Sequence, residues 1–193
     1  MEGIWLISYI ILWLVVLTMG VLIFLLYRQL GIMYLGSAEG VSRDGLPVGT
    51  TAPDFRLTDQ YGTVQQLSAY RGKPVYLVFG SPGCTPCRTL LPAAHEWIAA
   101  HPEMSIIWLN AAPQEETLKY VSDMGATLPV VGFTPEDKVM ENYHVRVTPF
   151  SFMVDEQGII RAKGLVNTKA GIDLYYKEMR TGKQQPAMAG GAG

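Results

Sequence analysis

Cysteine is scarce in this chain, with two residues in 193, three positions apart. A pair that close cannot supply the several bridges that staple a small secreted domain, so its expected use is chemical. Charge is scarce too, at 17% Asp, Glu, Lys and Arg with a formal net of -2. That leaves no basic stripe to neutralise phosphates and no Lys/Arg cluster interleaved with aromatics, which argues against a nucleic-acid partner. The histidines number three, His95, His101 and His144, without ligand spacing and without a second cysteine pair. No metal site and no cofactor is therefore expected. No internal repeat runs through the sequence, and no Lys or Arg precedes its first apolar run.

That run, residues 4–26, is uncharged and broken only by Ser8, Thr18 and Gly20, which is long enough to cross a bilayer. Trp5, Tyr9 and Trp13 toward one end and Tyr27 with Arg28 at the other suit the headgroup interface. A cleaved signal peptide fits less well: the basic leader is missing, the run is too long, and no small-x-small cleavage site follows it. Residues 1–28 are read as a retained single-pass anchor. The charges flanking it, Arg28 against Glu2 and the terminal amine, favour a cytoplasmic domain by one arginine. Against this, an anchored C-x-x-C protein has its use where disulfides are made and repaired. The expectation is a domain on the periplasmic side of the cell inner membrane.

Residues 29–52, rich in Gly, Ser and other small or polar residues, read as a linker, and residues 184–193, a Gln, Pro, Ala and Gly tail, as disordered. The intervening 53–183 leave roughly 130 residues for one compact domain. Short strands at 54–58 and 64–67 flank a Tyr61-Gly62 turn, and an apolar run at 75–79 has core-strand length. A helix follows from residue 84 to about 101, with Leu90, Leu91, Ala94, Trp97 and Ile98 at helical spacing and Pro92 expected to kink it. Next come a strand at 105–109, a helix at 115–124 ended by Gly125, a short helix at 137–143, strands at 150–154 and 159–163 across a turn, and a helix at 169–179. The order βαβα then ββα implies an α/β domain, a central mixed sheet with helices on both faces. This is the thioredoxin-like fold, here preceded by one transmembrane helix.

Cys84-Thr85-Pro86-Cys87 follows the apolar strand and opens the helix, where N-terminal amides stabilise a thiolate. Cys84, at the helix edge beside Gly83, is expected to be the attacking nucleophile, and Cys87, one turn in, the resolving thiol. Thr85 and Pro86 between them tune the balance of thiol and disulfide. Two blander readings stand beside this one: both cysteines as buried small hydrophobes, or as metal ligands short of partners. Thr148-Pro149, just before the strand at 150–154, is the second candidate site. A cis-proline there leaves the Thr148 backbone free to pair with an extended substrate; an ordinary strand-start proline is the alternative. Arg88 is read as an exposed helix arginine.

Three stretches together resemble one family: Tyr27-Arg28-Gln29-Leu30-Gly31; Ser81 to Cys87 with Leu90-Leu91-Pro92; and Ala162-Lys163-Gly164-Leu165-Val166-Asn167. They are similar to the MauD proteins of methylamine utilisation, within the wider group of TlpA/ResA-like membrane-tethered thioredoxins. The resemblance implies a redox pair at Cys84 and Cys87, a cis-proline at Pro149, and a role in maturing the disulfide-rich small subunit of methylamine dehydrogenase. Whichever way the pair runs, it needs a separate redox partner: an electron donor for isomerase work, an acceptor for oxidase work. A reductase of apocytochrome or other extracytoplasmic thiols would carry the same motifs, and a non-catalytic assembly or metal-handling factor is the rival from another class.

Overall fold

A computed structural model of the chain describes residues 2–182. Its first element, α1 (Glu2–Arg43), contains the stretch Ile7–Leu25, which has a mean hydropathy of 2.6 and no buried residues and is long and apolar enough to cross a membrane. The helix does not stop near residue 28. It runs through most of the expected linker, and the chain divides between Arg43 and Asp44 into two units. Residues 44–52 are correspondingly no free tether. Gly49 donates to the Ile160 carbonyl at 2.8 Å and Ala52 to that of Gly158 at 2.9 Å, while Ala52 is buried. The reason is local: Leu46, Val48 and Ala52 punctuate the small polar residues and find apolar neighbours. The expected disordered tail at 184–193 lies outside the described residues.

Beyond residues 44–52, which form a strap along the domain, the chain forms β1 (Arg56–Thr58) and β2 (Val64–Gln66), an antiparallel pair closed by Asp59, whose carboxylate accepts from the amides of Tyr61 and Thr63. Next come β3 (Val75–Gly80), α2 (Thr85–Ala100), β4 (Ser105–Ala111), α3 (Gln114–Met124), β5 (Val130–Phe133), α4 (Val139–Asn142), β6 (Phe150–Val154), β7 (Ile160–Leu165) and α5 (Lys169–Thr181). The main sheet has the order β5-β4-β3-β6-β7, with β3-β4 and β4-β5 parallel and β3-β6 and β6-β7 antiparallel. This mixed sheet is the expected thioredoxin-like architecture. The sequence reading missed β5, whose four residues follow Pro129 and are too few to show a period. α2 continues through Pro92 as a single helix.

β3 reads Val-Tyr-Leu-Val-Phe-Gly and is buried at every position because both of its faces are covered. Alternation sends Tyr76 and Val78 toward the cluster holding Cys87, Leu90, Trp97, Trp108 and Ile172, and Leu77 and Phe79 toward the cluster holding Phe133, Tyr143, Phe150 and Phe152. β3 therefore ends, at Gly80, in the middle of the core and delivers the next residues to the rim of the sheet.

Candidate active site

Ser81 to Gly83 form the turn that leaves β3, closed by a hydrogen bond from the Cys84 amide to the Ser81 carbonyl at 3.2 Å. Cys84 is the N-cap of α2, extended at φ -84° and ψ 104°, so Thr85 and Pro86 occupy the first two helical positions. Pro86 has no N–H to leave unsatisfied there, and the first free side-chain-directed donor is the amide of Cys87. It donates to Cys84 Sγ at 3.1 Å. The pair is joined as a disulfide. Cys84 is partly exposed, Thr85 and Pro86 are exposed, and Cys87 is fully buried. A sulfur that receives a helix-terminal amide and meets solvent is the one a partner can reach, and the buried sulfur is the one that can only act from within.

The Thr148–Pro149 peptide bond is cis. Phe79 and Phe150 are the last paired residues of β3 and β6, so Ser81 and Thr148 face each other just beyond the sheet. Their hydroxyls lie 3.3 Å apart. The structure thus brings both expected sites, the cysteine turn and the Thr148-Pro149 loop, to one edge. Arg88 is exposed, as expected, and its charge acts on Tyr120, whose hydroxyl burial pushes above the usual tyrosine range and Arg88 pulls partly back.

Three polar groups that sequence reasoning missed lie on the Cys87 side of the sheet. Trp108 Nε1, Asn110 Oδ1 and Tyr120 Oη are buried with no hydrogen-bond partner among the described residues. Gly80 pairs with Asn110, and a Cβ at Gly80 would sit 2.6 Å from Trp108 Nε1, so the glycine is what admits the indole edge. Asn110 Nδ2 donates to Thr117 Oγ1 at 2.9 Å, which ties β4 to α3. The histidines serve the fold. His95 Nε2 accepts from the amides of Thr127 and Leu128 at 2.9 and 3.0 Å, and His101 stacks on Trp97 with ring centroids 4.0 Å apart. Among the described residues no three His, Cys, Asp or Glu side chains converge as a metal site.

Comparison with known proteins agrees with this geometry. The model of the AhpC/TSA family matches residues 48–163, more than half of the chain. The chain belongs to the AhpC/TSA family. The thiol-disulfide oxidoreductase ResA of Geobacillus kaustophilus is 34% identical over 122 residues, covering 62% of this chain and 70% of that protein. The methylamine utilization protein MauD of Paracoccus versutus is 26% identical over 178 residues, covering 91% and 89%. Among solved structures, one assigned as a thiol:disulfide interchange protein DsbE from Chlorobium tepidum superposes with a TM-score of 0.63 at 26% identity, covering 70% of this chain and 96% of that one. The MauD likeness read from three short motifs therefore extends along nearly the whole chain. In this company the protein is a thiol–disulfide oxidoreductase of thioredoxin-like fold.

Proposed function

We propose that Cys84 is the attacking and attacked sulfur, Cys87 the resolving one, and Thr148 with Pro149 the client-binding loop. What carries the reading is the asymmetry of the pair: Cys84 is partly exposed and hydrogen-bonded by a helix-terminal amide, while Cys87 is buried. In the oxidising direction, a client thiolate attacks Cys84 Sγ, the Cys84–Cys87 bond breaks, and Cys87 leaves as a thiolate that takes up a proton. The client's second thiolate then attacks its own sulfur in the mixed disulfide and releases Cys84. The client loses two electrons and the pair gains them, so a separate redox partner must reoxidise it. Run backwards, the same steps reduce a client disulfide. Thr85 and Pro86, at the first two positions of α2, set the poise by shaping which amides face Cys84.

The substrate class is a protein that contains disulfides. Similarity to MauD along the chain supports disulfide formation and maturation of the small subunit of methylamine dehydrogenase, with α1 holding the domain on the periplasmic side of the inner membrane. The higher local identity to ResA favours a second reading, in which the same pair reduces disulfides of apocytochrome or other extracytoplasmic proteins back to thiols. A Cys87→Ser variant in the native host tests both. It is expected to accumulate a covalent adduct on Cys84, visible under non-reducing conditions and identified by mass spectrometry. Recovery of the dehydrogenase small subunit supports the first client and a cytochrome the second. Absence of any adduct contradicts the catalytic reading.

A further inference from the structure

The strap that follows α1 begins against residues 143–146, which lead into the loop read above as client-binding. Asp44 is the first residue of the domain unit, and its carboxylate is buried, with 5% of the side chain exposed. Arg146, two residues before Thr148, donates to Asp44 Oδ1 through Nε at 2.6 Å and lies within 2.5 Å through Nη2. Lys163 of β7 donates from Nζ to the carbonyls of Asp44 and Gly45, each at 2.7 Å. The backbone is tied at the same place: Gly45 N donates to the His144 carbonyl at 2.8 Å and Leu46 N to that of Tyr143 at 3.0 Å. Gly45 holds φ +73°, and a Cβ there would meet the Phe150 ring at 2.6 Å, so the strap is pressed onto the first residue of β6. His144 is itself held at φ 54°. Burial lowers the Lys163 ammonium below the usual lysine range, against the opposing pull of Asp44.

The ties to Arg146, His144, Tyr143 and Phe150 fall on residues 143–150, the segment that carries Thr148 and Pro149, while Lys163 holds the strap itself to β7. A buried carboxylate without a cation is costly, and a loop with few neighbours is a poor template for an extended client. We propose that Asp44, Arg146 and Lys163 form a positioning clamp through which the strap after α1 fixes the client-binding loop opposite Cys84. The proposal rests on the reading of Thr148 and Pro149 as that loop. The clamp touches neither sulfur; it acts on how well the loop presents its backbone. Its loss should weaken protein clients and spare small thiols, which need no loop.

The test uses the full-length oxidised protein in lipid nanodiscs, with a two-cysteine peptide and dithiothreitol as alternative reductants, and compares wild type with Arg146→Ala, Arg146→Lys and Lys163→Met. In Arg146→Ala and Lys163→Met, the KM for the peptide is expected to rise roughly three- to tenfold, the equivalent of losing one modest polar tie. kcat and the dithiothreitol rate constant should stay within about twofold. Arg146→Lys should fall between wild type and Arg146→Ala, and amide hydrogen exchange at residues 145–148 should quicken in the order of the KM changes. An unchanged KM in both Arg146→Ala and Lys163→Met overturns the clamp while leaving the loop's role intact, as do equal losses with peptide and dithiothreitol. A wild type that shows no preference for the peptide over dithiothreitol defeats the loop reading and the clamp with it.

Discussion

The two faces of the sheet are packed from different materials. On one, Phe79, Phe150, Phe152 and Tyr143 meet ring against ring at centroid distances of 5.1 to 5.8 Å, together with Leu77, Ile107 and Val131. The Tyr143 hydroxyl donates to the Pro53 carbonyl at 2.6 Å. On the other face the core is threaded with polar atoms. Tyr76 Oη meets Ser151 Oγ at 3.0 Å, Trp97 Nε1 donates to Asp173 at 2.7 Å, and Trp108, Asn110 and Tyr120 hold unpartnered polar groups. Cys87 lies on this second face. The apolar face seats the strand that follows Pro149, and the polar face includes Cys87, the sulfur proposed to leave as a thiolate during exchange. A buried thiolate is tolerable only where dipoles can turn toward it.

That contrast can be broken most severely on the apolar face. Phe152→Ala removes a fully buried ring with three aromatic neighbours, and denaturant unfolding should show a loss of about 3–5 kcal/mol. A loss under ~1 kcal/mol would mean that the face can collapse and is not a rigid seat. Next is Gly80→Ala, which drives a methyl into the Trp108 indole at the start of the active turn. Overpacking of this kind costs about 1–3 kcal/mol. It should be accompanied by a change in Trp fluorescence, whereas an alanine accepted silently would place the indole elsewhere. The smallest effect belongs to the polar face proper. Tyr76→Phe leaves Ser151 Oγ buried without that partner and should cost about 0.5–1.5 kcal/mol, while the double variant Tyr76→Phe, Ser151→Ala should recover most of the loss. Additive losses in the double variant would show that the two hydroxyls do not act as a pair.

Much of this arrangement can be read from residue order. The apolar run ending at Phe79, the turn at Ser81-Pro82-Gly83 and the helical spacing of Leu90, Leu91, Ala94 and Trp97 place Cys84 at a helix start. Thr148-Pro149 before an apolar strand likewise marks the facing loop. What escapes is what depends on long-range pairing. β5 has four residues and exists because β4 offers it an edge, and the strap at 44–52 looks like a linker until β7 and the Phe150 ring receive it. Asp44 lies 102 residues from Arg146 and 119 from Lys163, so no local pattern could associate it with them. Asn110 was the one accessible clue: a carboxamide inside the apolar strand Ser105–Ala111 announces a polar site on that face.

The proposed division of labour between the two sulfurs can be read by reducing the full-length protein, alkylating it with iodoacetamide across a pH series, and mapping the label by peptide mass spectrometry. Cys84 is expected to be labelled first, with an apparent pKa below the roughly 8.5 of a free thiol, and Cys87 to react only once the protein is unfolded. Labelling of Cys87 at a rate equal to or above that of Cys84 in the folded protein would contradict it.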